Sequence, residues 1–168
     1  MSWNSKTSKR KNAVRLGYRS GLEKEVAEIL TKHKIEFEFE PKDFKLPWHI
    51  KSKKKSLSCM KCGCTDIRED HSYTPDFVLE DRFVILESKG RFMSPDRVKM
   101  AALQGLYPDH LFIMLFSNPN GKTSPKTKNY EWCDKKGIKW LSFKDKDWVF
   151  KMNRMIKEWK KEQKKKKK

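Results

Sequence analysis

The sequence predicts an α/β domain with a mixed central sheet flanked by helices, and three observations predict it. Amphipathic helical segments alternate with short apolar strands along the chain, the pattern of layered α/β folds. The wholly apolar run Leu111 to Phe116 reads as a central strand covered on both faces. Phe77 to Lys89 reads as strand, turn, strand, with Glu80-Asp81-Arg82 as the turn. At 168 residues the chain is long enough for one domain with a core and little more.

The elements follow in order. Residues 1–17 form a basic arm containing Ser and Asn, ahead of a domain over 18–150. Ser20-Gly21-Leu22-Glu23 opens a helix with a capping-box pattern, and Leu22, Val26, Ile29, Leu30 and His33 recur at helical spacing. Ile35, Phe37 and Phe39 alternate with Glu36, Glu38 and Glu40, a strand ended by Pro41. Pro41 to Ser72 has no clean period; a basic, Cys-containing insert or connecting bridge is placed at about 51–72. Phe83 to Lys89 is a strand stopped by Gly90. Ser94-Pro95-Asp96 starts a helix, with Pro in its first turn and an acid at its positive end. Met100, Leu103 and Leu106 of that helix face the core, and Tyr107-Pro108 ends it. After an Asn118–Lys122 turn, Ser124-Pro125 starts another helix closed by Gly137, and Ile138 to Phe143 is the last strand. Trp148, Met152, Met155, Ile156 and Trp159 fall on one helical stripe; residues 151–168 are a basic C-terminal helix and a Lys tail, with Lys164 to Lys168 as a charge run without a fold.

Charge narrows the function classes. There are 40 Lys and Arg against 22 Asp and Glu, a net charge of +18, which favours a polyanionic partner bound in a salt-dependent way. No run approaches the roughly 18 apolar residues of a membrane span. The first twenty residues lack the apolar segment of a signal peptide, so the protein is expected to be intracellular, in a reducing compartment, and not secreted. The basic runs Lys9 to Arg19 (with Lys11, Arg15 and Arg19), Lys51 to Lys55 (with Lys53 and Lys54) and Lys160 to Lys168 suit arms that grip a nucleic-acid backbone without reading sequence. Trp148 and Trp159, at helical spacing with Met152 and Ile156, read as packing residues rather than base-stacking ones.

The chemistry concentrates in Tyr73-Thr74-Pro75-Asp76-Phe77 and Ile85-Leu86-Glu87-Ser88-Lys89-Gly90. Strand alternation points Glu87 and Lys89 to one face, and Leu86 and Ser88 to the other. The hairpin returns Asp76 to the neighbourhood of Glu87. Two anions about 4 Å apart repel by roughly 4 kcal/mol at an effective dielectric of 20, so such a pair persists only with a proton or a cation between its members. All-oxygen ligands with room for water suit magnesium. Asp76 and Glu87 are the candidate direct ligands, with the Ser88 backbone carbonyl as a further one, and Lys89 would orient the attacking water or offset charge on phosphorus. Surface charges on an ordinary hairpin are the bland reading. Pro-Asp-Phe, an apolar strand and Glu-Ser-Lys-Gly together favour the first, because that spacing resembles the PD-(D/E)xK nuclease core.

Arg19-Ser20-Gly21-Leu22-Glu23, Tyr73-Thr74-Pro75-Asp76-Phe77, Glu87-Ser88-Lys89-Gly90 and Cys133-Asp134-Lys135-Lys136-Gly137-Ile138-Lys139 together resemble the phage-type endonuclease I family, in matching order from about Arg15 to Trp148. The resemblance implies a magnesium- or manganese-dependent resolvase of four-way and other branched DNA. It implies a homodimer whose subunits exchange elements through a bridging strand, and, if phage-encoded, a place in the bacterial host cytoplasm. It carries the catalytic set onto Glu23, Asp76, Glu87 and Lys89. Glu23 has a second reading as a helix cap, and both roles can hold in turn. The segment from about Lys51 to Ser72 is foreign to the family core and leaves the dimer geometry open.

That segment carries Cys59-x-x-Cys62-x-Cys64, half of a tetrahedral zinc site. Cys64 is the third candidate ligand, and His71, His49 or Cys133 the fourth, with His71 preferred; Cys133 also reads as a small core residue. A reduced basic loop without metal is the competing reading. The sequence thus points to a structure-selective endonuclease. The rivals are another PD-(D/E)xK nuclease of restriction, repair or transposition type, and a non-catalytic basic DNA-binding protein with a zinc knuckle. An RNA-binding module lacks its stacking signatures here.

Overall fold

The structure, a computed structural model, describes residues 17–51 and 68–166. Its centre is a five-stranded sheet ordered β1-β4-β5-β6-β9, formed by β1 (Glu38–Phe39), β4 (Phe77–Leu79), β5 (Val84–Lys89), β6 (Leu111–Phe116) and β9 (Lys139–Ser142). β4 runs antiparallel to both β1 and β5, whereas β5, β6 and β9 are parallel, so the sheet is mixed as expected. Among the described residues, four helices flank it: α1 (Gly21–Lys32), α2 (Ser94–Leu106), α3 (Asn129–Lys136) and α4 (Trp148–Lys166). Among the described residues, no helix is long and apolar enough to cross a membrane.

Strand alternation divides the core into two layers. Phe77, Leu79, Leu86, Ile113 and Leu115 pack with Val26 and Leu30 of α1 and with Trp148, Met152 and Ile156 of α4. Val78, Ile85, Phe112, Met114 and Phe116 pack on the other face with Met100 and Leu103 of α2 and Cys133 of α3. Both faces of β6 are covered, which is why Leu111 to Phe116 is apolar throughout. Ile85, Glu87 and Lys89 share one parity, so β5 presents its two charged residues on the α2 side.

Several local expectations change. Pro41 to Ser72 contains two strands, β2 (Leu46–Lys51) and β3 (Arg68–Tyr73), paired antiparallel from Leu46↔Tyr73 to Lys51↔Arg68. The polar residues of β3 and Pro47 of β2 hide the period-2 signal, and residues 52–67 of the expected insert lie outside the described residues. The ribbon leans on α2, where the Tyr107 hydroxyl donates to the Pro47 carbonyl (2.6 Å). Only Glu38–Phe39 of the alternating Ile35–Glu40 run pairs as strand. Leu106 is partly exposed rather than core-facing, because α2 ends there. Met93, not Ser94, caps α2, and the Asp96 carboxylate accepts its N–H (3.0 Å).

No helix starts at Ser124. β7 (Lys122–Ser124) turns back on β8 (Thr127–Lys128), and α3 begins at Asn129, with the Glu131 carboxylate accepting the Lys128 N–H (2.8 Å). Gly137 closes α3 with φ +66°, as the sequence requires of a left-handed cap. The α4 helix runs on to Lys166. Lysine is a good helix former, and cations favour the helix C-terminus, so part of the supposed tail is helical. Trp148, Met152 and Ile156 are buried, as packing residues should be.

Candidate active site

The hairpin that positions the site is built from its turn inward. Glu80, Asp81 and Arg82 all have positive φ (51°, 52° and 70°), which reverses the chain tightly and fixes the register Phe77↔Leu86. Asp76 then lies one residue before β4, beside Glu87 and Ser88. Its backbone carbonyl accepts the Glu40 N–H (3.0 Å), which ties the hairpin to the end of β1.

The carboxylates meet as expected. Asp76 Oδ2 accepts from the Ser88 N–H (2.9 Å) and from Ser88 Oγ (3.1 Å). Ser88 therefore reaches the site with its hydroxyl, although alternation assigns it to the face opposite Glu87. The Asp76 N–H lies 3.4 Å from Glu87 Oε2, at the limit of a hydrogen bond. Both acids are buried, with relative exposures of 3% and 1%. Glu87 is ringed by donors. The Tyr73 hydroxyl donates to its Oε2, and Lys89 Nζ (2.9 Å) and Lys99 Nζ (3.3 Å) both approach its Oε1. Lys89 also lies 3.6 Å from Asp96 of α2. Lys99 sits over the Tyr73 ring, 4.4 Å from its centroid, as a cation–π contact.

These contacts push the two acids apart electrically. Burial, then the Glu87 charge, raises Asp76 from 3.8 to about 7, against the opposing pull of Lys89 and the Ser88 amide. Burial also opposes ionisation of Glu87, but Lys89, Lys99 and the Tyr73 hydroxyl outweigh it and hold this carboxyl below the usual range. Burial disfavours the Lys89 charge, yet the Glu87 and Asp76 carboxylates overcome it and raise the ammonium's pKa. Tyr73 is pushed well above its ordinary value by burial, then by Glu87 and Asp76, so it stays a hydroxyl donor. Asp76 thus has a raised pKa beside a Glu87 held in its charged form, as expected of two close buried carboxyls.

The other expected residues divide. Glu23 is buried at the start of α1 and completes the capping box: its Oε2 accepts from the Arg19 (2.8 Å) and Ser20 (3.2 Å) amides, while its own N–H donates to Ser20 Oγ (3.2 Å). It is near enough to raise Asp76 electrostatically. Arg19, expected among the DNA-binding residues, places its guanidinium 3.2 Å from Asp76 Oδ1 and pairs with Glu40. Among the described residues, no three His, Cys, Asp or Glu side chains converge as a ready-made metal cage. Lys11, Arg15, Lys53, Lys54, Cys59, Cys62 and Cys64 lie outside the described residues. Of the fourth zinc candidates, His71 pairs opposite Trp48 and His49 opposite Asp70, so the two histidines occupy opposite faces of the ribbon. Cys133 is a fully buried core residue whose thiol is pushed up to about 12, chiefly by burial.

Sequence reasoning missed three residues here. Tyr73 was visible as the first residue of its motif. Lys99 had no signal beyond its place on α2. Alternation put Glu40 in the solvent row with Glu36 and Glu38, but its left-handed backbone (φ +41°) ends the strand, and its carboxyl, raised by burial against the Arg19 charge, joins the site.

Two carboxylates and a serine at a strand end, with lysines beside them, suit oxygen-ligated divalent cations. Such ions commonly take one or two carboxylates and leave their remaining positions to water and substrate phosphate. Comparison with known proteins points to phage nucleases. The chain is 33% identical over 125 residues to Endonuclease I of Escherichia phage T7, covering 73% of this chain and 70% of that protein. It is 32% identical over 124 residues to Endodeoxyribonuclease 1 of Enterobacteria phage T3, covering 72% of this chain and 68% of that one. Phage endonuclease I is also the family matched across residues 1–168, and the chain belongs to it.

Proposed function

We propose that this protein is a divalent-metal-dependent DNA endonuclease that hydrolyses phosphodiester bonds in four-way junctions and other branched DNA, and that it works as a homodimer. The observation that carries the proposal is the buried Asp76–Glu87 pair with Lys89 at its rim. The antiparallel β4–β5 pair feeding parallel β6 and β9 suits a PD-(D/E)xK nuclease sheet, and the printed names of both relatives are those of nucleases. Phage-encoded relatives fit action in the host cytoplasm.

Asp76 and Glu87, helped by the Ser88 carbonyl, would hold magnesium or manganese, with Glu23 joining them once DNA displaces its capping role. A cation there supplies Lewis acidity toward the phosphate and eases deprotonation of the attacking water. The protein's own share is positional. Lys89, held by Glu87, is placed to orient the water that attacks phosphorus and to offset charge as the P–O bond to the leaving oxygen breaks. Arg19, released from Asp76 when the site fills, is then free to meet a phosphate. The basic arms grip backbone and so favour branch shape over sequence.

The test is a labelled immobile four-way junction incubated with magnesium or with chelator, beside a linear duplex of the same composition. Paired nicks confined to the junction and to magnesium support the proposal. Equal cutting of the duplex turns it toward another nuclease of the same core, and no cutting in either condition refutes it. A structural zinc held by Cys59, Cys62, Cys64 and His71 belongs to the proposal too. Purification without chelator followed by metal analysis should give about one zinc per chain, and its absence rejects that site.

A further inference from the structure

Beside the carboxylates lies an open groove of about 530 Å³ between the β2–β3 ribbon and the first turns of α2, within the size range of small-ligand sites. Trp48 and His71 stack with ring centroids 4.5 Å apart and line one side, and Pro95 and Val98 line the other. Two of its polar lining residues belong equally to the active site: Lys99 approaches Glu87 (3.3 Å), and Asp96 faces Lys89 (3.6 Å). The Trp48 indole N–H is shut off from solvent with no hydrogen-bond partner among the described residues. A buried donor left in that state costs about 1–3 kcal/mol, and because it is shut off from solvent it faces away from the open groove.

We propose that this groove receives one unpaired nucleobase next to the scissile phosphate. This rests on the endonuclease reading above and adds to it the part of the substrate that is recognised. The aromatic and apolar walls match the flat faces of a base, and Asp96 matches an exocyclic amino group. Continuity fixes the identity of the occupant. A strand whose phosphate sits at Asp76 and Glu87 lies beside Lys99 and Asp96, which also line the groove. A base already unstacked at a branch enters at least cost, so the groove links branch shape to cleavage without reading sequence.

The experiment uses the full chain and branched DNA whose nick position has been mapped, with either a base or an abasic sugar at the nucleotide beside the nick. Affinity is measured in chelator and nicking in magnesium. Removing the base should weaken wild-type binding by about 5- to 100-fold. Trp48→Ala should bind the intact DNA as weakly as wild type binds the abasic one, with no further loss from the abasic site, and Trp48→Phe should restore sensitivity. Val98→Trp fills the groove from a partly exposed helix position, tests the idea should Trp48→Ala fail to fold, and should give the same loss. Equal wild-type affinity for both DNAs, or independent losses from the mutation and the abasic site, overturns the proposal. So does loss of dimer in Trp48→Ala, which would assign the groove to a second copy. Magnesium-dependent nicking that ignores the abasic site sinks this inference alone, whereas no nicking of any branched DNA sinks the endonuclease reading.

Discussion

The two ends of the β4–β5 hairpin carry similar charges and use them differently. At the turn, Arg82 pairs with Glu38 (2.7 Å) and Asp43 (2.8 Å), and Lys160 of α4 pairs with Glu80, all substantially exposed. At the open end, Asp76 and Glu87 sit almost out of reach of water, against Lys89, Lys99 and Arg19. Exposed pairs gain modest Coulomb energy in a high dielectric and lose side-chain freedom, so they contribute little. Buried like charges cannot be screened, so one keeps a proton or both take a cation. The same residue types therefore tie down the chain at one end and supply an electrostatic demand at the other.

The largest expected break in this contrast is Glu87→Gln. It removes one of the proposed carboxylate ligands of the cation, a loss of several kcal/mol of charge stabilisation, so nicking should fall at least about 1,000-fold. Junction binding in chelator should hold or tighten, because a less negative site repels phosphate less. Joint loss of binding and folding would instead make Glu87 a structural residue.

Asp76→Asn is next, and its size depends on pH. The folded pKa is raised from 3.8 to about 7, so the cost to folding is absent below the unfolded value, grows as pH rises between the two, and is complete above about 7. A gap of about three units corresponds to at most about 4 kcal/mol, and the opposite shift of Glu87 reduces the pair's total. In chelator, Asp76→Asn should therefore unfold at higher temperature than wild type near pH 8 and at the same temperature near pH 4. A variant less stable than wild type near pH 8 would mean that Arg19 and Ser88 already compensate the charge, and that the open end carries no unmet demand.

How much of this was legible depended on how local each signal was. The capping box at Ser20–Glu23, the turn at Glu80–Arg82 and the apolar run of β6 are contiguous patterns governed by nearest neighbours, and each reappears in the fold. Asp76 and Glu87 were findable because one short hairpin joins them. Lys99 is about as near Glu87 in sequence as Asp76 is, but it reaches the site from a helix, and Arg19 lies beside the capping box of Glu23; neither local pattern says that the side chain meets Glu87 or Asp76. The β2–β3 ribbon was missed because β3 is polar but for Tyr73, and because Pro47 obscures the alternation of Leu46, Trp48 and Ile50 in β2. The start at Asn129 was missed because Pro125 suits a helix opening as well as it suits the β7–β8 turn.

The smallest effects belong to the turn end. Asp81 holds φ at +52° without the freedom of glycine, so Asp81→Gly should relieve strain and stabilise the fold by about 1 kcal/mol in a denaturant titration, with nicking unchanged. Lys160→Ala deletes the link between α4 and the turn. Both partners remain well exposed, at 47% and 36%, so solvent and salt already screen the pair, and the change in unfolding free energy should stay below about 1 kcal/mol and shrink further in high salt. A loss well above that, insensitive to salt, would mean that α4 anchors the hairpin through this contact. The turn would then hold the Phe77↔Leu86 register from a distance, and the division between a binding end and a reactive end would fail.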